Sequence, residues 1–250
     1  MGSPTELAIR VADAGETTAL VYSADPPAPH DRPAAALILG HGAGAGQRSA
    51  WIVEFARGLP SLGGAAQSGG RYPPVDVVTF NFLYTEQRRR IPDRPPLLEA
   101  CYRAVIDAVR DRVEAARHHL FIGGKSMGGR IASQVAAADA DLALDGLVLL
   151  GYPLHPPGRP DKRRDQHLGA IRRPMLVVQG SRDTFGVPAE LTPILDSLSP
   201  RPALHVVPGG DHSFKLSRKD PLAQAALFDD VQRTILEWIA VRISERASRR

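Results

Sequence analysis

Gly124-Lys125-Ser126-Met127-Gly128 spells Gly-x-Ser-x-Gly between an apolar run, residues 119–123, and a helix-like run, residues 130–138. A serine at a sharp turn from a strand into a helix presents its hydroxyl at the top of a sheet, and the flanking glycines remove side chains that would clash there. Such a turn stores about 1 to 3 kcal/mol of backbone strain, a cost expected only where the hydroxyl is useful. The pattern predicts a nucleophile elbow with Ser126 as the nucleophile.

An acid and a histidine follow Ser126 in the chain order that a hydrolytic triad requires. Residues 174–180 read as a buried parallel strand that runs into Asp183, and residues 203–207 read as a strand that opens into a glycine-rich loop carrying His212. Catalytic groups of open α/β sheets collect at the carboxyl ends of the strands. We therefore expect Ser126, Asp183 and His212 to share one crevice.

The three residue types have complementary chemical roles. A serine hydroxyl is a poor nucleophile until a base takes its proton, which a neutral imidazole can do before it protonates the leaving group. Asp183 would fix the tautomer of His212 and stabilise its imidazolium form. Asp211 is the weaker candidate for this role because it neighbours His212 in sequence, and adjacent side chains on an extended loop tend to point apart.

Acyl transfer also needs two backbone N–H groups aimed at the developing oxyanion. Met127, the residue after the nucleophile, would supply one of them. Residues 34–39 read as a buried strand followed by the glycine-rich loop 40–46, where Ala43 is our candidate for the second donor and Gly44 the fallback. His41 lies in the same loop but precedes Ser126 in the chain, so we interpret it as a structural residue.

Together these motifs resemble the α/β-hydrolases, and the resemblance runs from about residue 34 to the last helix. More narrowly, the chain is similar to the branch that includes dienelactone-hydrolase relatives and the testis-expressed and NSL-complex-subunit proteins. The resemblance implies a carboxylester or related acyl hydrolase, although the branch includes members thought to be non-catalytic. The segments that carry it are residues 41–44, 124–130, 180–183 and 209–213.

The alternation of predicted strands and helices indicates an α/β fold, with a mostly parallel twisted sheet covered by helices on both faces. Residues 7–11 and 18–22 read as an edge hairpin, and helices are expected near 50–59 and 96–116. Three further strand–helix units should follow the elbow, the last closed by a helix over 221–243. We expect a single domain over residues 1–250, a mobile glycine-rich surface loop over 62–71, and a short lid-like insertion over 153–168.

These features predict a serine hydrolase that acts on a small or soluble acyl substrate, most simply a carboxylic ester, through a Ser-His-Asp triad and an acyl-enzyme. A short lid favours small substrates over long lipid chains. The alternative is a hydrolase fold used as a non-catalytic binding or scaffold module. Arginines 88–90 and the basic cluster 159–164 follow strand ends and could attract an anionic substrate, but solvated loop charges explain them more simply.

Composition narrows the function classes. With 250 residues, 43% of them hydrophobic, the chain can bury one large core, and its single cysteine, Cys101, sits in an apolar helical pattern typical of a core position. A reducing cytoplasm is the simplest setting, because no targeting segment, membrane span or disulfide framework is visible.

No cofactor is expected, since neither the dinucleotide fingerprint nor the Walker pattern is complete. The sequence also indicates no metal site and no nucleic-acid partner, and it leaves the oligomeric state open.

Overall fold

The computed structural model describes residues 2–24, 34–63, 72–217 and 220–248. Within these ranges, eight strands form one sheet. In chain order they are β1 (Thr5–Val11), β2 (Gly15–Tyr22), β3 (Ala35–Gly40), β4 (Val75–Phe80), β5 (Leu120–Lys125), β6 (Gly146–Leu150), β7 (Met175–Gly180) and β8 (Ala203–Val207).

The spatial order of the strands is β1-β2-β4-β3-β5-β6-β7-β8. The first two strands form the predicted antiparallel edge hairpin, β2 pairs antiparallel with β4, and every pair from β4 to β8 is parallel. The strands β3, β5, β6 and β7 are buried along their whole length, which explains their continuous apolar runs. The parallel strands all end at one edge of the sheet, where the loops carrying the predicted site residues begin.

Helices cover both faces of the sheet, as predicted. They are α1 (Ala50–Gly63), α2 (Leu83–Glu86), α3 (Pro95–Arg112), α4 (Glu114–His118), α5 (Met127–Ala138), α6 (Pro188–Asp196) and α7 (Pro221–Ala247). Alternate residues of a strand point to opposite faces, so Ile38 packs against the layer of α3 and α5 while Leu37 packs against the layer of α1 and α7. Two hydrophobic cores therefore hold the sheet from its two sides.

Two of the expected elements are wrong in detail. The helix expected over 96–116 is interrupted at Val113, which adopts an extended conformation with its side chain buried and separates α3 from α4. The unit expected after β6 has no α-helix among the described residues, because the prolines at 153, 156 and 157 and Gly158 disfavour helix formation, and only turns and the 3-10 turn Leu168–Ala170 follow.

The glycine-rich loop predicted over 62–71 is largely outside the described residues, since its first two residues end α1 and the others are not described. Over the ranges given above, no helix combines the length and the apolarity needed to cross a bilayer. Cys101 is a core residue, as predicted: its thiol is buried, and burial raises its pKa to about 12.

Candidate active site

Ser126 occupies a strained turn between β5 and α5. Its φ of 51° and ψ of −112° lie outside the regions that residues with a side chain normally adopt. The conformation is held from the sheet side, because the Ser126 N–H donates a 2.9 Å hydrogen bond to the carbonyl of Leu150 at the end of β6. The turn has the nucleophile-elbow geometry that the Gly-x-Ser-x-Gly pattern predicts.

The glycines on either side of Ser126 are needed because the turn packs against the end of β3. A Cβ atom on Gly124 would lie 2.3 Å from the carbonyl oxygen of Gly40, and one on Gly128 would lie 2.1 Å from the same atom. Gly124 also has a φ of 149°, which residues with a side chain rarely adopt. The backbone of Gly40 is thus the group with which side chains at these positions would clash.

The three residues proposed from the sequence as a triad lie in one chain of hydrogen bonds. The Ser126 Oγ is 2.8 Å from the His212 Nε2, and the His212 Nδ1 is 2.7 Å from the Asp183 Oδ2. A carboxylate only accepts hydrogen bonds, so the proton of the neutral imidazole belongs on Nδ1 and leaves Nε2 free to accept from the serine hydroxyl. This arrangement can deprotonate Ser126, and its catalytic role stays a prediction.

Asp183 is fully buried, and its carboxylate is held by other donors besides the imidazole. The Gln179 side-chain amide donates to Oδ2 at 2.8 Å, and the backbone N–H of Phe185 donates to Oδ1 at 2.8 Å. Asp211, the weaker sequence candidate, instead accepts the N–H groups of Ser213 and Lys215 at 2.7 and 2.9 Å. Its carboxylate therefore braces the loop, and Asp183 alone of the two contacts the imidazole.

Two side chains that the motif reading did not single out support His212. The ring of Phe185 stacks on the imidazole with 4.1 Å between centroids, and the Lys125 ammonium donates a hydrogen bond to the His212 carbonyl. Burial lowers the pKa of Lys125 to about 8, against the opposing effect of the charges on Asp183 and Asp211. Its position directly before Ser126 could have marked Lys125 as a site residue in the sequence. Its contact with His212, 87 residues farther along the chain, could not have been predicted in that way.

The two predicted oxyanion donors line the same cavity as Ser126 and His212. This cavity has a volume of about 550 Å³, and both Ala43 and Met127 belong to its wall. Among the described residues, neither backbone N–H donates to a protein acceptor. Two unpaired N–H groups beside a nucleophile can stabilise an oxyanion, and this role also stays a prediction.

His41 is a structural residue, as the chain order indicated. Its imidazole is fully buried, with Nδ1 2.8 Å from the Gly42 carbonyl and Nε2 accepting the Phe82 N–H at 3.2 Å. Burial lowers its pKa to about 4, although the hydrogen bond to Gly42 favours the charged form. His41 therefore joins the glycine-rich loop to the end of β4 as a neutral side chain.

We expect His41 to make the protein less stable in acid. The folded pKa of about 4 lies below the value of 6.5 for an unperturbed histidine, so the unfolded chain binds more protons between these pH values. The stabilising contribution is complete above pH 6.5 and falls by about 3 kcal/mol as the pH approaches 4. Urea unfolding at pH 7, 5 and 4 should show a smaller loss of unfolding free energy in His41→Gln than in the wild type.

The control for this measurement is His118→Gln, because His118 is exposed and its replacement should leave the pH dependence unchanged. His167 has a similarly lowered pKa of about 4, caused by burial and then by the charge of Arg130, so part of the acid sensitivity should remain in His41→Gln. An identical pH dependence in the wild type and His41→Gln would contradict the assignment.

The structure places only some of the basic residues named from the sequence on the cavity wall. Arginines 88–90 are exposed and are not part of the cavity wall, and Arg89 pairs with Asp93 at 2.6 Å. From the cluster 159–164, only Arg164 reaches the wall, where Arg130 joins it. In the described ranges, no three His, Cys, Asp or Glu side chains are grouped so that they could hold a metal ion.

Comparison with known proteins agrees with the fold. A family model described as "Alpha/beta hydrolase domain" matches residues 33–240. Among solved structures, the chain is similar to XC6422 from Xanthomonas campestris, described as an a/b serine hydrolase without lid, with 20% identity, a TM-score of 0.66 and coverage of 94% of this chain and 96% of that one.

Two further structures have the same fold at low identity. The chain shares 18% identity with a dienelactone hydrolase from Anabaena variabilis, with a TM-score of 0.66 and coverage of 93% of this chain and 97% of that one. It shares 13% identity with Est1E from Butyrivibrio proteoclasticus, with a TM-score of 0.66 and coverage of 94% and 99%.

Proposed function

Because the chain belongs to the alpha/beta hydrolase domain family, we propose that it is a serine hydrolase that cleaves a small or soluble carboxylic ester through an acyl-enzyme. The observation that carries the proposal is the continuous chain of hydrogen bonds from Ser126 through His212 to Asp183, with donor–acceptor distances of 2.8 and 2.7 Å. These distances are within the range that general-base activation of a serine requires. Ser126 is the proposed nucleophile, His212 the proposed general base and acid, and Asp183 the residue that orients the imidazole.

The reaction follows from these positions. His212 Nε2 takes the hydroxyl proton as the Ser126 oxygen attacks the carbonyl carbon, and the backbone N–H groups of Ala43 and Met127 stabilise the resulting oxyanion. The bond to the alkoxide leaving group then breaks, and the imidazolium protonates that group as it departs. Water, deprotonated by the same imidazole, hydrolyses the acyl-enzyme and releases the acid.

The size of the cavity supports a small substrate. A volume of about 550 Å³ falls within the range of small-molecule sites, towards its lower end. Its wall includes the apolar side chains of Ile52, Leu98 and Phe185. Among the described residues between β6 and β7, no α-helix forms a lid over it. We infer that the substrate has a short acyl group and that the enzyme cleaves ester bonds in soluble molecules.

A fluorophosphonate probe tests the proposal directly, because it reacts only with an activated serine. The wild type should be labelled, and Ser126→Ala should lose all labelling. Ser49→Ala is the matched control, since Ser49 lines the same cavity without contacting His212, and its labelling should persist. An unlabelled wild type would instead favour a hydrolase fold used as a binding or scaffold module.

A series of p-nitrophenyl esters would then define the substrate class. We expect kcat/KM to be highest for acyl chains of about two to six carbons and to fall for longer chains, because a cavity of about 550 Å³ leaves little room for a long chain. The wild type and Ser126→Ala are compared for every ester. Equal rates for a sixteen-carbon and a four-carbon acyl chain would contradict the short acyl pocket.

A further inference from the structure

Among the described residues, four charged side chains outside the proposed triad line the cavity: Asp93, Lys125, Arg130 and Arg164. Two of them have protein partners that balance or anchor their charge. The Asp93 carboxylate pairs with Arg89 at 2.6 Å and accepts the Tyr84 N–H at 3.0 Å, while the Lys125 ammonium is bound to the His212 carbonyl. The other two charges, on Arg130 and Arg164, need a separate explanation.

Neither Arg130 nor Arg164 has a carboxylate within 4.0 Å among the described residues. Among the described residues, the Arg130 guanidinium donates one hydrogen bond, 3.1 Å from its Nη1 to the Gln134 Oε1, and its buried Nε has no acceptor. The pKa of Arg130 is lowered by burial and then by the charge of Arg164, so the two guanidinium groups repel each other across the cavity wall. Holding like charges together costs folding free energy, which an anion between them would offset.

Both guanidinium groups line the cavity that contains Ser126, and both project from a backbone that is held in place. Arg130 is in the first turn of α5, four residues after Ser126, which places it about 6 Å farther along the helix axis. The partial positive charge at the start of this helix adds to the same field. The backbone of Arg164 is held at both ends, because its N–H donates to the Leu154 carbonyl at 2.8 Å and its carbonyl accepts the Tyr152 hydroxyl at 2.6 Å.

We propose that Arg130 and Arg164 form a subsite for an anionic group of the substrate, a carboxylate or a phosphate, bound a few atoms from the ester that Ser126 attacks. The inference rests on the proposed hydrolase function and names its substrate class. Guanidinium groups suit this role because their N–H groups form paired, charge-assisted hydrogen bonds to oxyanions. The substrate is then a short acyl ester with a second, negatively charged end.

Hemiesters test the subsite against neutral esters of the same length. The p-nitrophenyl hemiesters of succinate, glutarate and adipate are compared with their methyl-capped diesters. We expect wild-type kcat/KM to be at least tenfold higher for the best hemiester than for its neutral match, since the hydrogen bonds between a guanidinium and a carboxylate are charge-assisted. Arg130→Met and Arg164→Met should each reduce this ratio about tenfold or more.

The control is Arg159→Met, because Arg159 lies on the same segment but is exposed, pairs with Asp161 at 3.5 Å and is absent from the cavity wall. It should leave the ratio within twofold of the wild type while removing the same unit of charge. Inhibition of neutral-ester hydrolysis then shows which anion the subsite prefers. Stronger inhibition by glutarate indicates a carboxylate, and stronger inhibition by glycerol 3-phosphate indicates a phosphate.

The subsite and the hydrolase function fail in different ways. Turnover of the neutral esters with no preference for any hemiester, together with no inhibition that depends on Arg130, would overturn the subsite alone. Absence of both turnover and fluorophosphonate labelling would overturn the hydrolase function. Calorimetric binding of glutarate or glycerol 3-phosphate, weakened in Arg130→Met and retained in Arg159→Met, would still support the subsite in that case.

Discussion

Replacement of His212 by alanine is expected to lower kcat for an ester by a factor on the order of 10⁴ to 10⁶. The imidazole Nε2 is 2.8 Å from the Ser126 Oγ, and no other described histidine contacts that hydroxyl. Without the base, the hydroxyl stays protonated at neutral pH and the leaving group has no acid. Single-turnover measurements with a p-nitrophenyl ester would give the change in the acylation step.

Two comparisons separate this effect from a general disturbance of the loop. His205→Ala removes a histidine from β8, the strand that leads to His212, and should leave kcat within a few fold of the wild type. The double variant Ser126→Ala/His212→Ala should lose no more activity than either single variant, because residues that act as a unit have non-additive effects. A tenfold or smaller loss in His212→Ala would refute the assignment.

The sequence was sufficient to predict the position of those site residues that depend only on their own strand and on the loop that follows it. Asp183 and His212 each follow an apolar run, and the carboxyl ends of parallel strands share one edge of the sheet, so their proximity could be expected without coordinates. The Gly-x-Ser-x-Gly pattern likewise indicated the strained turn at Ser126. These inferences use local pattern and one general rule of sheet geometry.

Contacts between distant segments could not be predicted in the same way. The close approach of Gly128 to Gly40 depends on β3 lying beside β5, an order that no local pattern specifies. The placement of Arg130 and Arg164 on one cavity wall depends on the path of the irregular segment after β6, which the sequence indicated only as a short lid-like insertion. The pairing of Arg130 with Arg164 on the cavity wall was therefore visible only in the structure.

The acid that contacts His212 is another case in which proximity in the sequence does not give proximity in space. Its replacement is the second change for which we expect a large loss of kcat. Asp211 neighbours His212 in sequence, whereas Asp183 is 29 residues away, yet the Asp183 carboxylate contacts the imidazole Nδ1 at 2.7 Å. The donors on Gln179 and Phe185 fix the orientation of that carboxylate. Replacing the oxygen that accepts from Nδ1 would therefore disturb the tautomer of His212 more than any change at Asp211.

We expect Asp183→Asn to lower kcat by a factor of about 10⁴, because an amide N–H facing Nδ1 favours the tautomer that carries its proton on Nε2 and cannot accept from Ser126. Asp211→Asn is the matched control, since among the described residues its carboxylate accepts only the backbone N–H groups of Ser213 and Lys215, and it should change kcat by less than tenfold. Measuring kcat for both variants with one ester, alongside their unfolding free energies, separates catalysis from stability. If Asp211→Asn proved the more damaging variant at unchanged stability, the acid would have to be reassigned.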